Sequence, residues 1–282
     1  MVHVIAAATT GDQTKMYRFM LTISVFAFAC AATNDSDNVP PPQLSGADEG
    51  SDLEDEQGSD PEDEQGSDPE DDQSGDNADE NAGPPVEATV RIIDAMSSGW
   101  MDGVTVENPT GDIETTDSNG SATVLVNSNS NFEINLSKAG AIDHLLFGPA
   151  GDEDFEYITF MATEMLVSGV LIMLGATPDD GTGVVVVGID YDDLRLAVGA
   201  QASLDVDHDD PWVLLNSGPQ YGDTIPAQGM GMVAFSNVQP GQTAIDVVPP
   251  SGTDCTAFPG GGEMPLTPVK ANQVTVVTFR CR

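Results

Sequence analysis

From Val86 onward, apolar residues fall at every second position in short runs broken by Gly, Asn, Asp and Pro. "VEATVRIID" (86–94), "GVTVEN" (103–108), "IETTD" (113–117), "SATVLVN" (121–127) and "FEINLS" (132–137) each offer one face to a core and one to water. That alternation predicts half-buried strands. "AIDHLLF" and "FEYITF" extend the series to Phe160. "DSNGS", between the third and fourth runs, reads as a hairpin turn in which Asn119 and Gly120 supply positive φ values. The period then changes once. "TEMLVSGVLIMLG" (163–175) predicts a helix, with Thr163 as its N-cap, Glu164 in its first turn and Gly175 at its end. It is shorter than the roughly 20 residues a membrane span needs, and it reads as a packing helix between two halves. Beyond it, "GVVVVGIDYD" (183–192), "VGAQASLD" (198–205), "WVLLNS" (212–217), "GMVAFSNV" (231–238), "TAIDVVPP" (243–250) and "QVTVVTFRC" (273–281) again read as strands. Short strands at this spacing predict an all-β protein built of two tandem antiparallel β-sandwiches, transthyretin-like or Ig-like.

Upstream of Val86 the pattern disappears. Residues 50–81 are four copies of an eight-residue unit: "GSDLEDEQ", "GSDPEDEQ", "GSDPEDDQ" and the decayed "SGDNADEN". Apart from prolines, their apolar members are Leu53 and Ala78. With nothing to bury, ordering would cost about 1–2 kcal/mol per residue and recover none of it, so a disordered linker is expected. Stretched out, residues 31–85 would reach up to about 180 Å. The repeats lack the glycine turn and closing carboxylate of a calcium loop, so diffuse cation condensation is expected rather than a defined site.

Further upstream, "FMLTISVFAFACAAT" (19–33) follows Lys15 and Arg18 and ends in small residues, the grammar of a secretory signal. Met16 followed by "YRFMLTISVFAFAC" forms a complete signal, which makes Met16 the expected start and residues 1–15 a miscalled extension. Cys30 at the foot of the run resembles the modified cysteine of a bacterial lipoprotein, with Ala29 as the small residue before it. That resemblance implies cleavage before Cys30, a diacylglycerol anchor on it, and an outer-membrane or cell-surface address. Phe28 and Ala27 depart from the usual pattern, and Ala27-Phe28-Ala29 also fits ordinary signal cleavage. Both readings imply export.

In the second half, "VGAQASL" followed by "GMVAFSNVQPGQTAIDVVPPSG" resembles the carboxypeptidase-regulatory-like, transthyretin-like β-sandwich family. Gly199, Ala200, Gly231, Phe235, Asn237, Val238, Pro240 and Gly241 carry the pattern. A weaker echo in the first half uses Gly103, Val104, Thr116, Asp117 and Gly120, without the later N-V-x-P-G turn. The resemblance implies two copies of a non-catalytic accessory module. The expected organisation is a signal at 1–30, a linker at 31–85, sandwiches at 86–160 and 181–282, and a connecting helix at 161–180. In an exported protein Cys255 and Cys281 are expected to pair as a disulfide, closing the loop that holds "FPGGGEMP".

Charge narrows the partners. Eight Lys and Arg face 47 Asp and Glu, a net charge of −39, which argues against nucleic acid. Residues 34–85 hold 19 of the carboxylates, yet 86–282 still carries 27 against six Lys or Arg. The densest polar cluster is "DVDHDDPW", where Asp205, Asp207 and Asp209 alternate around His208. As an EF-hand it fails, with Asp210 at the sixth position and Asn216 at the twelfth. Two alternatives stand: a solvated loop, or a non-standard calcium site shared with Asp190, Asp192 and Asp193. No cofactor is otherwise expected. His144 reads as a strand residue, and Trp100 and Trp212 as packing residues beside loops. No G-x-S-x-G, H-E-x-x-H or phosphate-loop motif occurs. The expected function is envelope display and binding of a protein or glycan, without catalysis. The rivals are a secreted hydrolase with a concealed site and a calcium-dependent adhesin.

Overall fold

The computed structural model describes residues 83–282; the signal segment with Cys30 and the acidic repeats lie outside them. The strands before the helix are β1 (Pro85–Asp94), β2 (Thr105–Glu107), β3 (Ile113–Thr115), β4 (Ser121–Asn127), β5 (Asn131–Ser137), β6 (His144–Pro149) and β7 (Phe155–Met161). Helix α1 (Glu164–Leu174) follows. Then come β8 (Gly183–Tyr191), β9 (Gln201–Leu204), β10 (Trp212–Leu215), β11 (Gly218–Tyr221), β12 (Met232–Val238) and β13 (Gly241–Thr243). The series ends with β14 (Ile245–Val248), β15 (Cys255–Ala257), β16 (Thr267–Val269) and β17 (Val274–Cys281). The all-β expectation holds, and the alternating runs sit within a few residues of where their pattern put them.

The layers follow from which residues alternate. A central sheet runs β11-β10-β12-β8-β17-β6-β5-β2-β3, and β15 pairs with the end of β17. Val274 and Val276 of β17 and Val186 of β8 pack with Val90, Val124 and Tyr157 of a three-stranded sheet, β4-β1-β7. Their neighbours Val277, Phe279, Val185 and Val187 pack instead with Ala202 of β9 and Val269 of β16. Successive strand residues point to opposite faces. The central sheet is therefore covered on one side by β4-β1-β7, and on the other by the two-stranded pairs β9–β14 and β13–β16. Both halves of the sequence contribute strands to this sheet, and they join where β17 pairs with β6.

That sharing corrects the expectation of wholly antiparallel pairing. β17 runs parallel to β8 from Val274↔Val184 to Cys281↔Tyr191, and parallel to β6 over Val274–Val276; β1 and β7 are parallel too. Strands covered on both faces read as continuous apolar runs rather than alternations, and "GVVVVG" and "VTVVTF" are such runs.

The "DSNGS" segment is corrected as well. β3 pairs with β2 and β4 pairs with β1, so the segment is a corner between layers and not a hairpin. The buried Thr116 hydroxyl accepts from the Val104 N–H at 2.9 Å and donates to the Met101 carbonyl at 2.8 Å, fixing the corner's start. The Asp117 carboxylate accepts from the Asn119 and Ser121 N–H groups at 2.8 and 3.0 Å. Gly120 alone takes positive φ, at 68°, and a Cβ there would meet the Ile92 carbonyl oxygen at 2.6 Å.

Helix α1 has the caps its sequence predicts. The Thr163 hydroxyl accepts from the Leu166 N–H at 3.2 Å, and Gly175 adopts the left-handed conformation at φ 71°. It buries only Val170 and Leu171, while Met165 and Ile172 are 76% exposed. Among the described residues, no helix is long and apolar enough to cross a membrane.

Two bonds fasten β17, one within its sheet and one to the covering layer. Cys255 and Cys281 face each other across β15 and β17, with Cα atoms 4.0 Å apart, and form a disulfide. The buried Tyr157 hydroxyl lies 2.8 Å from the Thr278 hydroxyl, joining β7 to β17. Replacing both cysteines by serine is expected to lower the unfolding free energy by about 3–4 kcal/mol, read from the urea midpoint. Tyr157→Phe is expected to cost about 1–2 kcal/mol in the same assay, because it leaves the Thr278 hydroxyl unpaired in the interior.

Candidate functional site

The carboxylates of the 205–210 loop do not converge. Asp205 accepts from the Ala244 N–H at 2.8 Å and the Thr243 hydroxyl at 2.9 Å, which cap the turn into β14. Those bonds, the Ala244 one foremost, hold its carboxyl below the usual range. Asp209 accepts from the Asn237 side-chain amide at 2.8 Å. Asn237, at φ 56° on the irregular end of β12, also donates to the Thr177 carbonyl and accepts from the Asp179 N–H, both at 2.9 Å. It binds the segment after α1 to the loop. Asp207 is exposed and joins neither network. Asp190 faces Arg280 across β8 and β17, and Asp192 and Asp193 pair with Arg282 and Arg195. Among the described residues no three His, Cys, Asp or Glu side chains gather as a metal site would require. The sequence alternation of Asp205, Asp207 and Asp209 reflects a strand end and its turn, which aim these groups at different neighbours.

Besides the Tyr157 phenol, which burial pushes up to about 12, two titratable groups are withdrawn from solvent. His144 is fully buried at the start of β6, edge-on to Phe160 with ring centroids 6.0 Å apart. Its Nδ1 donates to the Ile142 carbonyl at 2.8 Å, while Nε2 has no hydrogen-bond partner. Burial pushes its pKa down to about 4. Asp190 is pushed up to about 6 by burial, an effect that Arg280 at 3.3 Å opposes. Arg280 also stacks over the Phe258 ring at 4.8 Å. Gly231 leaves room for this pair: a Cβ there would meet Asp190 Oδ1 at 2.9 Å and Leu196 at 2.7 Å.

Trp212 packs against the core and donates from Nε1 to the Ser236 hydroxyl at 2.9 Å. Trp100 is 44% exposed, under the Arg91 guanidinium at 4.0 Å, and borders a shallow opening of about 250 Å³ with Asp94, Asp102 and Lys138.

A larger cleft, about 480 Å³, opens on the side of the sandwich where β14 and β15 diverge. Leu204, Ile245, Val247, Met264 and Phe279 line it, and Asp205, Asp246 and Glu263 border it. Its volume falls within the roughly 300–1,000 Å³ of ligand sites. Sequence patterning missed it, because the three-residue β15 and the Gly-rich segment after it show no period, and nothing local brings them beside β14. The nearest signal was "VVPPSG", where two prolines end a strand and force the chain away before Cys255.

No protein-family model matches the chain, and no curated protein matches it. Solved structures similar to it include the TIE protein of Bacillus anthracis, at 10% identity and TM-score 0.24, over 70% of this chain and 34% of that one. The chain thus spans about a third of that protein. The minor pilin of Streptococcus agalactiae is similar at 12% identity and TM-score 0.24, over 70% of this chain and 95% of that one. A shaft pilin of Lactobacillus rhamnosus GG is similar at 10% identity and TM-score 0.22, over 71% and 98% of the two chains.

The interior groups set a pH dependence with a definite sign. The folded-state pKa of His144 lies below its ordinary 6.5, so the unfolded chain takes up the proton first. Its contribution is fully present above pH 6.5 and is lost as pH falls through about 4. The whole loss amounts to about 3 kcal/mol. Asp190 acts oppositely: its contribution is present below its ordinary 3.8 and lost as pH rises through about 6. The expected outcome is that Asp190→Asn makes the melting temperature fall more steeply than wild type between pH 6.5 and 4, and that His144→Leu flattens it.

Proposed function

We propose that this chain is an exported, non-catalytic binding module displayed on the cell envelope, anchored by lipid on Cys30 and held outward by the acidic segment 31–85. The observation that carries this reading is the composition of the larger cleft. Strand edges with polar main-chain groups form its walls together with Leu204, Ile245 and Val247, a mixed lining that suits a held partner. The carboxylate of Asp205 on its rim is engaged in capping a turn. His144 and Tyr157 are buried away from it in the body of the protein. The resemblance to carboxypeptidase-regulatory-like modules, which accompany catalytic domains without catalysing, supports the same reading. So does the lipoprotein-like setting of Cys30, since a long polar tether is of use only when its near end is fixed.

Cell fractionation tests the display. Wild-type protein is expected in the membrane fraction, with a diacylglycerol-modified Cys30 at the mature N-terminus by mass spectrometry. Cys30→Ser is expected to move the protein to the soluble extracytoplasmic fraction. Membrane retention of the serine variant, or an unmodified Cys30 on the mature chain, would remove the anchor from the proposal.

A further inference from the structure

The edge of β14 that faces the cleft is unpaired, and hydrogen bonding on the far side of β9 shows which of its groups are available. Ala202 donates its N–H to the Asp223 carbonyl at 3.0 Å, away from β14. Ala202 and its partner Val247 are therefore a non-hydrogen-bonded pair, and by alternation so are Leu204 and Ile245. The donation from Asp205 N–H to the Ala244 carbonyl at 3.3 Å keeps the same phase. The N–H and C=O groups of Ile245 and Val247 thus turn away from β9.

The opposite wall behaves likewise. Asp254 and Arg282 exchange both main-chain bonds, at 3.2 and 2.9 Å, and Phe258 donates to the Thr278 carbonyl at 2.9 Å. Cys255, opposite Cys281, is therefore a non-hydrogen-bonded position whose N–H and C=O turn away from β17. Ala257, the next such position, is already bonded to Gly261 and Gly262. Among the described residues, the main-chain groups of Ile245, Val247 and Cys255 bond no other segment. Two strand edges with unmet hydrogen bonds thus border one opening, with Met264 and Phe279 among its lining.

We propose that this opening captures an extended peptide of alternating apolar and basic side chains, added as a strand to the edge of β14. The proposal rests on the reading of the chain as a binding module and specifies the partner. Main-chain bonds would supply affinity, and alternate side chains would enter the cleft over Met264 and Phe279. Charge selects the partner. Asp205, Asp246 and Glu263 border the opening, and none of the described Lys or Arg lines it. All six of those cations are already in ion pairs, with Glu156, Asp102, Asp193, Glu133, Asp190 and Asp192. A bound strand must therefore bring its own positive charge. A second copy of this chain would bring another strongly acidic surface to the same edge, which charge repulsion disfavours.

The test uses the full chain and a fluorescein-labelled peptide that alternates Lys and Val, followed by anisotropy at low and moderate salt. Saturable binding is expected. A Glu-Val peptide of the same length is expected to bind at least ~10-fold more weakly, and so is a Lys-Val peptide N-methylated at alternate amides. Asp246→Lys with Glu263→Lys, both exposed positions that leave the fold intact, is expected to reverse the preference between the two charged peptides. Amide exchange at Ile245 and Val247 is expected to slow on binding. Affinity indifferent to N-methylation would reduce the effect to charge attraction and overturn the proposal, as would absence of binding. Self-association that protects the same amides without peptide would overturn it in favour of a second copy. Failure here with Cys30-dependent membrane attachment intact would leave the display reading standing.

Discussion

β17 is the strand on which both sandwiches depend. One of its edges lies along β8 for its whole length, and its other edge is shared between β6 and β15. Its side chains enter two cores at once, Val274 and Val276 on one face, Val277 and Phe279 on the other. Burying each such side chain is worth about 1.5–3 kcal/mol, and this strand, together with β8 and β12, fastens the covering layers on both faces. The Tyr157 hydroxyl reaches it from one covering sheet, and the Cys255 disulfide fastens β15 to its end. The cleft exists because the second covering layer does not extend over all of β17: β14 and β15 part after Val248, where Pro249 and Pro250 cannot continue the ladder.

What could be read in the sequence was what local physics decides. Period-two alternation located strands with one wet face, such as "SATVLVN", to the residue, and cap chemistry located α1 between Thr163 and Gly175. What escaped was set by distant partners. Nothing in "GVVVVG" says that its neighbours are β12 and β17, or that the pairing with β17 is parallel. "DSNGS" has the composition of a hairpin turn, yet Thr116 and Asp117 spend their side chains on backbone groups that make it a corner. The three-residue strands β13, β15 and β16 are too short for any period to show, and the cleft lies between one of them, β15, and β14. Of the residues singled out for chemistry, Cys255 and Cys281 meet, whereas Asp205, Asp207 and Asp209 do not.

The fate of the polar residues explains how so acidic a chain keeps its two cores packed. Few charges go inside, and those that do are matched. Asp190 is set against Arg280, and His144 is held neutral with one nitrogen bonded to the backbone. These two respond to acid in opposite senses, so neither alone dictates the response of the interior. The outer carboxylates serve where backbone needs acceptors, at Asp117 and Asp205, or pair with the few cations. The remainder present negative charge to the surroundings, and that excess gives the cleft its preference for a cationic partner.

The place of β17 in the chain has a consequence for how the molecule comes into being. The strand at the middle of the central sheet follows every other described strand along the sequence, and its contact with β8 spans 90 residues. A chain delivered from its N-terminus, by a ribosome or through an export channel, holds β6 and β8 ready without the strand that joins them. Until residues 274–281 arrive, both present open edges and uncovered valines, the kind of surface that chaperones hold. Closure is slow for the same reason, since long loops must be ordered before the parallel pairings repay them. The step that locks the sheet therefore waits on residues 274–281, whichever strands have formed before them.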